Sequence, residues 1–181
     1  EGNVAVSTHV TANGGAIYNE NILNIYDSSF YGNTGEGDGA AGGAIYSKGG
    51  TVNIAAEKAD VEFKGNKAGD KANALHISAG TKLNLNAFDG RVMSFEDSIT
   101  SDGSGNIINL NASSADDASV LTSARTGGSV YLNSDMSSFG NLNSASGNTV
   151  NLYNGSIKFG RKTLFFKNVK FNMRGGARLD M

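Results

Sequence analysis

The 181-residue chain has no cysteine, no proline and no tryptophan, and its only histidines are His9 and His76. Without cysteine there is no disulfide, no thiolate metal site and no cysteine nucleophile. Without proline, every strand residue keeps its backbone N–H for a ladder. Purely apolar runs reach three residues, as at Leu164-Phe165-Phe166, against the roughly 20 that a membrane-spanning helix needs. Neither end reads as a signal peptide. Hydrophobic residues are 39% of the chain, below the ~45–50% of an average globular domain. Stability is therefore expected from stacking, with no covalent staples to help it.

What the chain has in excess is glycine, 25 of 181 residues, about twice the usual share, and repetition. Gly14-Gly15-Ala16-Ile17-Tyr18-Asn19 recurs as Gly42-Gly43-Ala44-Ile45-Tyr46-Ser47. Phe30-Tyr31-Gly32-Asn33 recurs as Phe63-Lys64-Gly65-Asn66. An apolar-polar-apolar triplet runs through the whole chain, at Leu23-Asn24-Ile25, Val52-Asn53-Ile54, Leu83-Asn84-Leu85, Ile108-Asn109-Leu110, Val130-Tyr131-Leu132 and Val150-Asn151-Leu152. Self-similarity at roughly 20–30 residues marks a stacked repeat. The triplet places two apolar side chains on one face of a strand and a polar one on the other. One such strand cannot bury its apolar face alone, but a coil whose strands pair turn upon turn can. Asparagine above asparagine can then form amide ladders. The paired glycines suit corners, where φ > 0 or close backbone approach is needed, and Ala16 and Ala44 suit inward positions where space is short.

Along the chain, Val4, Val6, Thr8 and Val10 alternate as a first strand that ends in the Asn13-Gly14 turn signal. Residues 34–41 have no apolar periodicity and read as a surface loop. Asn73-Ala74-Leu75-His76 replaces Gly-Ala-Ile-Tyr as a decayed copy. Strands are expected at 82–86, 92–95 and 106–111. Residues 112–125 interrupt the pattern: Ser114-Ala115-Asp116-Asp117 has helix-capping character ahead of Val120 and Leu121, so a short helix and an irregular projecting loop are both open. After Gly127 the rungs shorten. Val150-Asn151-Leu152 aligns with Val169-Lys170-Phe171, and Ile157-Lys158-Phe159 with Ala177-Arg178-Leu179. Three strands of about five residues with short turns fill such a coil, which favours a three-sided parallel β-helix.

The net charge of −2 is unevenly spread. Lys158, Arg161, Lys162, Lys167, Lys170, Arg174 and Arg178 face a single acid, Asp180, in the last 26 residues. They alternate with Ile157, Phe159, Leu164, Phe166, Val169, Phe171 and Leu179, the pattern of an outer strand face that also blunts edge pairing. A functional basic patch is the alternative.

The alternation of Gly-Gly-Ala-Ile (14–17 and 42–45) with Phe-x-x-Asn (30–33 and 63–66) resembles the repeats of polymorphic outer-membrane proteins, bacterial surface proteins of the autotransporter type. The stretches Arg91 to Ile99 and Gly147 to Gly155 are similar to the downstream passenger of such proteins. The resemblance implies a right-handed parallel β-helix displayed outside the cell, often an adhesin, anchored by a C-terminal β-barrel that is absent here. It also implies that Gly14, Gly15, Ala16, Ile17, Phe30, Asn33, Gly42, Gly43, Ala44, Ile45, Phe63 and Asn66 are structural repeat elements, and it gives none of them a ligand.

Other constellations are weaker. Gly37-Asp38-Gly39-Ala40-Ala41-Gly42 spells G-x-G-x-x-G, but a dinucleotide site needs a strand before it and a helix after it. The same Gly/Asp loop has one feature of a calcium-binding turn and no second copy of it. Parallel β-helices can also carry glycoside hydrolysis, which needs two carboxylates about 5–10 Å apart. Glu96-Asp97 and Asp116-Asp117 are the only adjacent acidic pairs, and strand neighbours point to opposite faces. His76 occupies the place of Tyr18 and Tyr46, an aromatic position in the stack. No Gly-x-Ser-x-Gly elbow is present. Phe165, Phe166 and Phe171 with Lys167 and Lys170 superficially match a nucleic-acid stacking platform, but period-2 alternation sends some of these rings to the core. Asn111-Ala112-Ser113 and Asn154-Gly155-Ser156 match a glycosylation acceptor pattern, and Asn154-Gly155 reads better as a turn.

The expectation is an all-β chain: one right-handed three-sided parallel β-helix of about seven to eight turns over residues 1–181, a fragment of a longer surface passenger. It is expected to be non-catalytic and without cofactor or metal. Its expected place is the bacterial outer-membrane surface or the extracellular space. Expected partners are a host or neighbouring cell surface, protein or glycan, or the chain itself, with no nucleic acid, and with the membrane only through the absent barrel. A passive spacer and a polysaccharide-degrading enzyme are the alternatives. Residues 34–41 and 112–125 are the candidate contact surfaces, because the rungs do not require them.

Overall fold

In the computed structural model, residues 1–7, 11–124, 126–139, 147–161 and 168–181 are described. Thr8, His9, Val10, Arg125, Lys162, Leu164, Phe165, Phe166 and Lys167, all used above, lie outside them. The described chain winds as a three-sided parallel β-helix. Each of the first four coils lays one strand on each of three faces, and equivalent strands pair in parallel from coil to coil.

The first face carries Ile17–Asn19, Ile45–Ser47, Lys71–Ile77 and Ser98–Ser101. It is continued by a 3₁₀ turn at Ser137–Phe139, where Ser101 Oγ donates to the Phe139 carbonyl at 2.7 Å. The second face holds six strands, Ile22–Tyr26, Thr51–Ala56, Lys82–Ala87, Ile107–Leu110, Thr149–Leu152 and Lys170–Met173. The third also holds six, Phe30–Tyr31, Val61–Lys64, Val92–Phe95, Ser129–Leu132, Ser156–Phe159 and Arg178–Asp180. Six coils, not seven or eight, are therefore seen among the described residues. The chain is absorbed by long coils: successive second-face asparagines lie 29, 31, 25, 42 and 21 residues apart.

Register follows like on like. On the second face Leu23, Val52, Leu83, Ile108, Val150 and Phe171 form one inward column. On the third, Phe30, Phe63 and Phe95 stack with ring centroids 4.9 and 4.7 Å apart and planes within 9°, and Leu132 and Phe159 extend the column. Such ring pairs add about 0.5–1.5 kcal/mol each beyond burial. On the first face Tyr18, Tyr46 and His76 stack outward, 5.3 and 5.2 Å apart, so His76 takes the aromatic place expected of it. Val130-Tyr131-Leu132 belongs to the third face and pairs with Met93-Ser94-Phe95. The strand at Phe171-Asn172-Met173 supplies the second face's last triplet instead.

The last coil corrects the sequence alignment. Val150 pairs with Phe171 and Ile157 with Leu179, two residues beyond the expected Val169 and Ala177. A two-residue shift keeps the same face toward the core, so hydrophobic pattern alone does not choose between the registers. The amide does: Asn172 Nδ2 donates to Asn151 Oδ1 at 2.7 Å.

The two repeat glycines divide the corner between them. Gly14 and Gly42 have φ of 73° and 68°, which L side chains rarely adopt. At Gly15 and Gly43 a side chain would run into the backbone of Thr34 and of Lys67 respectively. The chain passing so close is a small side sheet of Val4–Val6, Thr34–Glu36 and Lys67–Ala68, joined antiparallel to the first face through Lys71–Ala72. Thr34–Glu36 is thus a strand, a correction to the surface-loop expectation. It lacks apolar periodicity because its backbone is what packs, over Gly15. Ala44 and Ala74, on the inner side of the same corner, are fully buried.

Candidate functional site

The polar residue of the second-face triplets generates an amide ladder. On the outer side of the second face, the central asparagine of each triplet donates through Nδ2 to the Oδ1 of the previous coil. Asn53 donates to Asn24 at 2.9 Å, Asn84 to Asn53 at 2.8 Å and Asn109 to Asn84 at 2.9 Å. Asn151 then donates to Asn109 at 2.9 Å, and Asn172 completes the series. The ladder crosses all six coils of the face.

Residues 112–124 fold over the middle of this ladder. They form neither a helix nor a projecting loop but a series of turns held flat against the face. The capping residue is Ser113, not Ser114: its N–H and Oγ both reach Asp116 Oδ2, at 3.0 and 2.8 Å. Asp117 is the anchor. Its Oδ1 accepts from Lys82 Nζ at 3.0 Å, Ser119 N–H at 2.9 Å and Ser119 Oγ at 2.7 Å, and its Oδ2 from Asn109 Nδ2 at 3.3 Å. Burial works to raise the Asp117 carboxyl, but the Ser119 and Lys82 hydrogen bonds outweigh it and hold the group below the ordinary carboxylate value. Asn84 Nδ2 reaches the Ser119 carbonyl at 3.2 Å, and the Ser114 N–H closes the loop on the Thr122 carbonyl at 2.7 Å. Ala112, Val120 and Tyr153 form a small apolar seam beneath it.

Where the loop stops short of the first coils, it leaves a recess of about 260 Å³. The recess opens over Ala55, the small member of an outward column that runs Tyr26, Ala55, Asn86. Tyr26 and Leu121, 46% and 53% exposed, stand at its sides. Asn53, Asn84, Asn86, Glu57, Thr122 and Ser123 supply the polar lining. Asn86 Nδ2 donates to the Ala112 carbonyl at 2.7 Å, while its buried Oδ1 has no hydrogen-bond partner. Among the described residues Glu57 is the one carboxylate at the recess, and no lysine or arginine lines it.

The structure disperses the other candidates. Asp97 turns inward and accepts from Gly65 N–H at 3.0 Å and from Asn66 N–H and Nδ2, both at 2.8 Å. Its neighbour Glu96 accepts from Asn133 Nδ2 at 2.7 Å. With Asp116 and Asp117 tied into the loop, all four acids of the glycosidase alternative are engaged in structural hydrogen bonds. His76 lies between Thr100 Oγ1 at 2.9 Å and Asp102 at 3.4 Å. Gly37-Asp38-Gly39 is an exposed turn followed by a strand, so the G-x-G-x-x-G string lacks its helix. Among the described residues no cluster of three or more histidine, aspartate or glutamate side chains could hold a metal ion. Lys158, Lys170 and Arg178 are exposed strand positions, while Arg174 lies 4.8 Å over the Tyr153 ring. Asn111, of the first acceptor pattern, is buried at φ 54°, and Gly155 makes the Asn154-Gly155 turn at φ 65°.

Two features escaped the sequence reading. Phe95-Glu96-Asp97 is a third copy of Phe-x-x-Asn, one residue shorter and with aspartate for asparagine; its signal was the return of Phe and an acid after Phe63-Lys64-Gly65-Asn66. The recess was hidden because Tyr26, Asn86 and Leu121 meet only through stacking and loop closure. Comparison of the chain with known protein families, with curated proteins and with solved structures finds no match.

Proposed function

We propose that the chain is a non-catalytic, stiff β-helical rod, carried on the bacterial outer-membrane surface or outside the cell, whose role is adhesion to a host or neighbouring cell or to another copy of itself. The observation that carries this reading is the 112–124 loop. The coils do not need it, yet Asp117, Lys82, Ser119 and the asparagine ladder fix it in one place. A loop held rigidly on a rod, with a recess beside it, is a surface preorganised for contact. The similarity of the Gly-Gly-Ala-Ile and Phe-x-x-Asn phrases to those of polymorphic outer-membrane proteins supports the same reading. The structural engagement of Glu96, Asp97, Asp116 and Asp117 favours binding over hydrolysis.

The test is a cell-surface and glycan panel read for protein retained and sugar released in the same wells. Retention without release supports adhesion. Release of sugar defeats the non-catalytic reading. Neither signal, with a monomer in sedimentation, leaves a passive spacer.

A further inference from the structure

The recess over Ala55 has a composition that selects among ligands. We propose that it is a binding subsite for one ring of a neutral saccharide, stacked against Tyr26 and held by Asn53, Asn86 and Glu57. This rests on the adhesive reading above and gives it a ligand class.

Four observations carry the inference. First, two of the side-chain amides in the lining have unused valence. Asn53 spends one N–H on Asn24 and accepts one from Asn84, which leaves a second N–H. Asn86 Oδ1 is a buried acceptor without a donor, in a residue only 4% exposed. A native structure rarely leaves such an atom unpaired, because it costs about 1–3 kcal/mol. A ligand hydroxyl that donates there recovers that cost. Second, the walls are apolar where a sugar is apolar. Tyr26 presents nearly half its surface, and Leu121 stands opposite, which suits the C–H face of a pyranose.

Third, the charge is wrong for an acidic ligand. Among the described residues Glu57 is the only acidic side chain in the lining and no lysine or arginine joins it, so a uronate or sialate carboxylate finds no cation there. Fourth, the recess lies on the face of a sheet, not at its edge. The strand Thr51–Ala56 is paired on both sides, so an extended peptide finds no free ladder to join. Only side chains bind here, which suits a ligand rich in hydroxyls. A volume of about 260 Å³ falls below the roughly 300–1,000 Å³ of drug-sized sites, enough for a single ring.

The test is a ¹H–¹⁵N correlation titration of the whole chain with methyl glycosides of glucose, galactose, mannose and N-acetylglucosamine, and with glucuronic acid as the anionic control. At least one neutral glycoside is expected to saturate, with an affinity on the order of millimolar, shifting the amides of Asn53 to Glu57 and Leu121. Two variants guard against misfolding: Tyr26→Ala, at an exposed site, and Ala55→Leu, which fills the recess from an outward position. Both are expected to keep the wild-type spectrum elsewhere and to weaken binding at least about tenfold. No saturation by any neutral glycoside overturns the proposal. So does equal binding of glucuronic acid, or undiminished binding by Ala55→Leu. Running Ala55→Leu in the cell panel separates the two readings. If cells retain it as well as wild type, adhesion stands and the sugar subsite falls. If wild type itself is not retained, adhesion falls, whatever the glycosides do.

Discussion

The molecule carries two asparagine ladders of different construction, one on its outer flank and one inside a corner. In the outer ladder, Asn24 to Asn172, each rung is one amide donating to the asparagine of the previous coil. In the inner ladder each oxygen accepts twice. Asn33 Oδ1 takes the N–H and Nδ2 of Asn3 at 3.1 and 3.0 Å. Asn66 Oδ1 takes the N–H and Nδ2 of Asn33 at 3.1 and 2.8 Å. Asp97 ends the series as a pure acceptor, and Asn66 Nδ2 also reaches the Phe30 carbonyl at 2.9 Å. The inner ladder therefore satisfies the backbone of a tight corner that no water reaches, with Asn33 and Asn66 fully buried. The outer one fixes register and keeps spare valence for a loop or a ligand. Asparagine serves both, but only the inner set is indispensable to the chain path.

The sharpest way to break that contrast is Asn66→Ala. It strands two donors on Asn33 and the Phe30 carbonyl in a dry corner, and each stranded group costs about 1–3 kcal/mol. A loss on the order of 3–5 kcal/mol is expected in urea unfolding, enough to threaten folding outright. Asp97→Asn is the finer probe. The carboxylate receives N–H groups on both oxygens, so the amide must turn its own NH₂ toward either Gly65 or Asn66. The expected loss is about 1–3 kcal/mol. Retention of wild-type stability by either variant would show that the corner reorganises and that its ladder is dispensable.

On the outer ladder, coverage by the loop should grade the effect. Asn84 is 1% exposed and also holds Ser119, so Asn84→Ala is expected to cost about 2 kcal/mol and to speed proteolysis within 112–124. Asn151 lies beyond the loop and is half-buried, so water can replace the amide at Asn151→Ala, for a loss of about 1 kcal/mol or less. Equal losses at the two sites would mean that the ladder, not the loop, sets the cost.

These differences mark what the sequence could and could not show. Periodicity is a property of single strands, so the inward columns, the tyrosine stack and the outer asparagines were legible from the triplets and from Gly-Gly-Ala-Ile-Tyr. Register in the last coil was not, since Val169 and Phe171 are equally apolar and equally spaced, and only Asn172 meeting Asn151 decides. Thr34–Glu36 was missed because its role is backbone packing over glycine, which leaves no apolar signature. The loop's capping residue was placed one position late, because Ser113 and Ser114 differ only in which of them the Asp116 carboxylate reaches. The recess depends on a tyrosine, an alanine and a leucine from two coils and a loop, a conjunction that no local pattern announces.

Acid separates the carboxylates of Asp27 and Asp117 from the histidine of the first face. Asp27 accepts the N–H groups of Lys58, Glu57 and Ala59 at 2.8, 2.7 and 3.1 Å; the Lys58 bond leads in holding its carboxyl below the ordinary value. Asp117 is lowered too. Both contribute stability above about pH 4 and lose it as pH falls through their lower folded values. His76 acts in an earlier window. Burial against Tyr46 pushes its imidazole below the ordinary value, and Asp102 only partly opposes this. The unfolded chain therefore takes up the proton first, so the contribution of His76 is complete above about pH 6.5 and declines as pH drops below it. His76→Tyr, which restores the residue of the two preceding coils, is expected to flatten the fall in urea midpoint between about pH 7 and 5 while leaving the fall below about pH 4 unchanged. A wild-type chain that instead gains stability over the upper window would mean that the Asp102 pair outweighs burial, and that the first face is held by charge rather than by stacked rings.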